Sequence, residues 1–217
     1  MQQVQHSESQ IFLSIATQGD ETSRISVQNP ANTSVHLARE MGADFLNALG
    51  QYRRQVFVDK LGWKLPLTPT GCEVDQFDKP DTLYVVSHAK QGHINHINGC
   101  TRLVQTTQPY LLGDVFGELL AGQDVPRDPN IWEISRYSAI DFGGSSDIAA
   151  GIFSTEIALQ LMDTSQATVK SMGGTGMVAV TVIGVERLLR QAGRAYHRLG
   201  APKMIDGFPL VAIWIDV

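Results

Sequence analysis

Apolar residues recur at helical spacing at Leu37, Met41, Phe45, Leu49, Tyr52 and Val56, within "NTSVHLAREMGADFLNALGQYRRQVFVDKLGW". That period predicts a helix, with Thr33 or Ser34 capping its start and Gly62 at its end. Ahead of it, residues 1–22 carry no strong period and read as an N-terminal extension. A first strand falls at "IFLSIA" or at "SRISVQ", and Asn29-Pro30 breaks the chain. After the helix, "KLPLTPTGCEVDQFDKPD" is rich in Pro, Gly and acids and reads as a loop. "TLYVVSHA" and "HINGCTRLVQT" predict a hairpin joined around Lys90 to Gly92. Leu111 to Leu120 predicts a short helix. "NIWEISRYSAI" is the next strand, followed by the loop "DFGGSSD" and a helix from about Ala149 to Met172 that Gly173-Gly174 ends. "GMVAVTVI" predicts a strand, "GVERLLRQAG" a helix stopped by Gly193, and "AYHRLG" and "LVAIWIDV" the closing strands. Alternating elements with consecutive strands in the middle imply a mixed sheet covered by helices, a three-layer α-β-α sandwich formed by one domain over residues 23–217.

Composition narrows the class. A chain of 217 residues suits one ordinary domain, and 43% hydrophobic with 18% charged residues is a globular balance. No apolar run approaches the length of a membrane span. The N-terminus has no basic region, and its apolar run, Ile11 to Ala16, is too short for a signal peptide. Two cysteines, Cys72 and Cys100, do not make a disulfide framework, so the cytoplasm is the expected location. A net charge of −5 argues against nucleic-acid binding.

Three charges stand where apolar residues are expected. Glu133 and Arg136 lie in "IWEISRYSAI" and Arg102 in "GCTRLVQT". Removing one partner of a buried ion pair costs about 3–5 kcal/mol. These charges therefore either pair with one another or face a wet cleft that takes a charged substrate. Strand alternation puts Glu133 and Arg136 on opposite faces unless a bulge intervenes. Asp75 and Asp78 in "EVDQFD" suit a cation or amine, or are solvated turn residues. They are too few for calcium. His93 and His96 lack a third ligand, and no metal is expected. Arg53, Phe57 and Trp63 end the first helix, where the simplest reading is aromatic packing. "GGTGM" precedes a strand and does not match a dinucleotide fingerprint.

Read in order, these stretches resemble the acyl-homoserine-lactone synthases, the autoinducer synthases of bacterial quorum sensing. Arg53, Phe57 and Trp63 match the family pattern, as do Glu73, Asp75, Phe77 and Asp78, then Arg102-Leu103, Phe116, and Trp132, Glu133, Ser135 and Arg136. The resemblance runs from about residue 35 to the end. It implies an N-acetyltransferase-like fold and transfer of an acyl group from acyl carrier protein to the α-amine of S-adenosyl-L-methionine. Lactone closure then releases methylthioadenosine. S-adenosyl-L-methionine is a substrate, and no cofactor is implied.

On this reading Glu133 is the candidate base, and Arg102 and Arg136 fix it and the methionyl carboxylate. Arg53, Asp75 and Asp78 surround the sulfonium, Phe57 and Trp63 wall the adenosyl side, and Phe116 completes the substrate site. Ala179, with Thr181 on the same face, marks the acyl pocket and favours an acyl chain without a 3-oxo group. Arg187, Arg190 and Arg194, with Arg198 and Lys203 beyond, form a basic face for the acidic carrier protein, or an ordinary solvated helix. The rivals are an N-acetyltransferase-like enzyme that uses acyl-CoA and a non-catalytic acyl-binding protein.

Overall fold

The computed structural model describes residues 32–91, 94–142 and 152–217. Its main sheet has eight strands. β1 (Thr33–Leu37), β2 (Leu83–Gln91), β3 (Ile94–Gln105) and β4 (Ile131–Ser138) lie side by side, followed by β7 (Gly176–Val182), β10 (Phe208–Asp216) and β8 (Tyr196–Arg198), with β9 (Lys203–Ile205) paired to β10. β5 (Ile140–Asp141) and β6 (Ile152–Phe153) form a separate ribbon. Neighbours are antiparallel except β4 and β7, which run parallel.

Alternation along the strands builds two cores. On one face Val85, Leu103, Ile134, Met177 and Ile213 pack beneath α3 (Thr155–Ser171) and α4 (Ile183–Gln191). On the other, Tyr84, Val86 and Cys100 pack against α1 (Ala43–Arg53) and the π-helical turn that prolongs it, Arg54–Lys60. Val104, Val178 and Ala212 are covered on that same face by the short α2 (Leu111–Asp114) and a 3₁₀ turn, Gly117–Leu120. The expected α-β-α sandwich with a mixed sheet is what forms.

The junction between β4 and β7 is short. β4 and β7 are joined over only three residue pairs, Ile131↔Gly176, Trp132↔Met177 and Glu133↔Val178. Beyond these rungs, residues 134–138 and 179–182 part company. A bulge in β4 accounts for the split. β3 pairs Arg102 with Ser135 but Cys100 with Ser138, so β4 spends three steps where β3 spends two. Arg136 takes up the extra residue with a left-handed φ of 51°. Such a bulge bends its strand and sharpens the local twist, which carries β4 away from β7.

Several elements differ from the sequence expectation. Thr33 and Ser34 do not cap a helix. They begin β1, which pairs with β2, and α1 starts at Ala43 after Gly42. Pairing with a neighbouring strand overrides the helical spacing of Leu37 there. Gly62 does end the helical segment, with φ 71°. The helix expected from Ala149 begins at Thr155, because the Ser154 hydroxyl accepts from the Ile157 N–H and caps it. Leu111 to Leu120 splits into α2 and the 3₁₀ turn. β9 was not anticipated. The two candidate first strands, Asn29-Pro30, His93 and most of "DFGGSSD" lie outside the described residues.

Candidate active site

The split between β4 and β7 opens a cavity of about 1480 Å³ that passes through the sheet. On the α1 side it is walled by Phe57, Trp63, Asp75, Phe116, Ser135 and Arg136. On the α3–α4 side its walls are Leu159, Met162, Ala179, Leu188, Leu189 and Ile213. The first chamber carries charge and aromatic rings, and the second is almost wholly apolar.

The charged chamber rests on an ionic network that the bulge makes possible. Without the bulge, alternation would send Arg136 to the opposite face from Glu133. With it, Arg102, Glu133, Ser135 and Arg136 all project toward α1. The loop after α1 then brings three acids over them. Arg53 Nε donates to Glu73 Oε2 at 2.5 Å, and its Nη1 to Asp78 Oδ1 at 2.8 Å. Arg102 Nη1 reaches Asp75 Oδ1 at 2.5 Å and Asp78 Oδ1 at 2.8 Å. Arg136 Nη2 bridges Glu73 Oε1 at 2.9 Å and Asp75 Oδ2 at 2.7 Å. Three guanidinium groups thus meet three carboxylates, and their formal charges cancel. Burial pushes Asp78 up, but Arg53, Arg102 and the Tyr84 hydroxyl overcome it and hold the carboxyl well below the usual range. Burial likewise opposes the charges on Arg53 and Arg102, yet their acid partners raise both above an ordinary arginine.

The network meets the cavity through Asp75 and Arg136. Arg53, Asp78 and Arg102 sit behind that wall. Of Arg53, Asp75 and Asp78, expected around the sulfonium, Asp75 alone lines the cavity, and the other two bond to the groups behind it. Phe57 and Trp63 do wall the cavity, stacked at 5.1 Å, and the Arg136 guanidinium lies 5.6 Å over the Phe57 ring. The Trp63 indole N–H is buried without a partner among the described residues.

Glu133 is also set back. It is 0% exposed and does not line the cavity. Its carboxylate accepts the Leu112 N–H at 2.6 Å and the Leu111 N–H at 3.0 Å, at the start of α2. Neither Arg102 nor Arg136 bonds it directly. Burial raises its pKa to about 7, against the opposing pull of the two backbone N–H groups, the Arg102 charge and the Ser135 hydroxyl. Ser135 stands between. It lines the cavity, and its hydroxyl accepts from Arg102 Nε at 3.1 Å.

Two residues at the heart of this arrangement, Glu73 and Ser135, received no role from the sequence reading. A charge count was the available signal for Glu73. Three buried arginines require three acids, and Asp75 and Asp78 supply only two. The basic face is also thinner than expected. Arg194 pairs with Asp163 at 2.5 Å, Arg198 with Glu186 at 2.7 Å, and Lys203 with Glu118 at 3.5 Å. Arg187 and Arg190 remain exposed on α4 without an ion pair among the described residues. Ala179 and Thr181 both line the cavity. Among the described residues no group of three or more His, Cys, Asp and Glu side chains could hold a metal ion, and no helix is long and apolar enough to cross a membrane.

Comparison with known proteins places the whole fold among relatives. The family model described as autoinducer synthase matches residues 38–217. The acyl-homoserine-lactone synthase of Acinetobacter nosocomialis is 44% identical over 166 residues, covering 76% of this chain and 88% of that protein. The crystal structure of TofI in a ternary complex with an inhibitor and MTA aligns at 36% identity and a TM-score of 0.72, covering 85% of this chain and 91% of that one. The CoA-dependent acyl-homoserine lactone synthase BjaI, solved with SAM and isopentyl-CoA, aligns at 28% identity and a TM-score of 0.71, covering 86% and 83%. The sandwich is of the N-acetyltransferase type that acyl-CoA N-acyltransferases share. With a match that runs through the fold from Ala38 to Val217, the chain belongs to the autoinducer synthase family, the acyl-homoserine-lactone synthases.

Proposed function

We propose that S-adenosyl-L-methionine occupies the charged chamber, that the acyl thioester reaches it through the split sheet, and that acyl carrier protein delivers the acyl group. The observation that carries this reading is the division of one cavity into a charged half and an apolar half, meeting where β4 and β7 separate. The sulfonium faces Asp75 and the rings of Phe57 and Trp63, a contact worth roughly 0.5–2 kcal/mol for a cation over an aromatic face. Arg136 receives the methionyl carboxylate, and the Trp63 N–H is a free donor toward the nucleoside end.

The α-amine must lose a proton before it attacks the thioester carbonyl. Glu133 is the base, and the Ser135 hydroxyl relays the proton from the cavity to the buried carboxylate. Collapse of the tetrahedral adduct expels the carrier thiolate and leaves an amide. The methionyl carboxylate then attacks the carbon next to sulfur, closes the lactone, and releases methylthioadenosine. Among the described residues the backbone of 134–138 has no strand partner on its β7 side, and it offers hydrogen bonds to the amides of a pantetheine arm.

Both carrier protein and CoA present that arm, and BjaI is CoA-dependent. Arg187 and Arg190, exposed and without a salt bridge among the described residues, favour an acidic protein donor, whose docking would weaken with salt. Arg190→Glu is expected to raise KM for acyl carrier protein at least several-fold and leave KM for S-adenosyl-L-methionine unchanged. Initial rates with each substrate varied in turn decide this, and an unchanged carrier KM removes α4 from the docking surface. Ala179 offers no side-chain donor to a 3-oxo group, so mass spectra of culture extracts should be dominated by unsubstituted acyl chains. A 3-oxo majority would overturn that assignment. The reading includes a cytoplasmic site of action, in keeping with two cysteines that are free and buried.

A further inference from the structure

We propose that Met162 is the stop that sets acyl-chain length, and that the enzyme favours medium chains of about eight carbons. The inference rests on reading the apolar chamber as the acyl site. The chamber is a slot between two helices and the sheet. α3 lines it with Thr155, Leu159 and Met162, and α4 with Val185, Leu188 and its C-terminal flanking residue Ala192. Each set spans seven helical steps, a length of about 10 Å. C–C bonds of about 1.5 Å at tetrahedral angles advance an extended chain by about 1.25 Å each, so a slot of about 10 Å holds on the order of eight carbons.

The slot has a definite floor. Ile215 lines it, opposite Met177 on β7 and below the last rung joining β4 to β7. Trp132, Met177 and Val169 are buried in the same core but do not line the cavity. The space therefore ends against Met162, which is 2% exposed, and Ile215. Asp163, the next residue on α3, pairs with Arg194 just past the end of α4, so an ion pair ties the two helices beside that floor. Arg194, expected to dock the carrier, instead has this closing contact.

The test is the donor-length profile of the purified enzyme with carrier-bound acyl groups of graded length, read as kcat/KM. For the wild type the value should rise up to about eight carbons and fall once the chain outgrows the slot. A wild type that works best on four-carbon donors overturns the proposal without any variant. Met162→Ala should move the optimum longer by about two carbons, the space its side chain vacates. Leu159→Ala, in the wall but not at the floor, should raise KM for long donors without moving the optimum. If Leu159→Ala acts as stated but Met162→Ala leaves the optimum in place, the stop is wrong and the acyl chamber stands. If neither variant alters length dependence, the acyl chamber itself is wrong. Met172→Ala, exposed at the end of the same helix, serves as the control.

Discussion

Glu133→Gln is expected to lower acyl transfer by about 10²–10⁴-fold, the usual loss when a general base is removed, while the protein stays folded. The change keeps shape and removes the charge. One of the two N–H groups at Leu111 and Leu112 then faces an amide instead of a carboxylate oxygen, at a cost of about 1–3 kcal/mol if it finds no other acceptor. The pH dependence separates the base from a merely structural acid. A base acts when ionised, and burial has raised Glu133 to about 7. Wild-type kcat/KM should therefore climb between about pH 6 and pH 8, and the variant should lose that limb. Stability moves the other way. A raised carboxyl pKa means that the folded state holds the proton more tightly than the unfolded chain. Its contribution is full below the unfolded value of about 4.3 and is lost as pH rises through about 7. The variant lacks that decline, so denaturation at pH 5 and pH 8 should show the wild type losing ground to it. Near wild-type turnover with the limb intact would remove Glu133 from the mechanism.

Arg102→Met is expected to cost about 3–5 kcal/mol of stability, a large share of the total for a single domain. Arg102 is 0% exposed, and its Nη1 serves both Asp75 and Asp78. Methionine fills part of the volume but leaves two buried carboxylates short of a partner and frees the Ser135 hydroxyl. Because Asp75 faces the cavity, weaker S-adenosyl-L-methionine binding should accompany the loss. Arg187→Ala, on exposed α4, should change stability by less than about 0.5 kcal/mol. Urea unfolding of the three proteins at one pH measures both effects. A loss under about 1 kcal/mol for Arg102→Met would mean that the network is looser than its distances imply.

The fold was largely legible because period and turn chemistry agreed over most of the chain. They agreed for β2 and β3, for β7 with α4, and for Gly62. They failed at Thr33–Leu37, where helical spacing coincides by chance with a strand that β2 completes. No local rule detects that pairing. For the site, residue types were legible but geometry was not. Three charges in apolar strands signalled a network or a cleft, and the molecule contains both, joined at Asp75 and Arg136. What alternation could not reveal was the bulge at Arg136. It puts Glu133 and Arg136 on one face and opens the sheet as well. Glu133 lies deeper than a cleft residue because its carboxylate is engaged by the start of α2, a long-range contact absent from any spacing. The ion pairs of Arg194 with Asp163 and of Arg198 with Glu186 join residues far apart in sequence, so no local spacing reveals them.

In the proposed mechanism two substrates meet through a split sheet from opposite faces. A crystal structure with S-adenosyl-L-methionine and an unreactive acyl-pantetheine analogue tests it most directly. The expected complex has the sulfonium beside Asp75, Phe57 and Trp63, the acyl tail between α3 and α4 against Met162, and the amine within reach of Ser135. Both ligands on the same side of the sheet, or an acyl tail outside the α3–α4 slot, would contradict it.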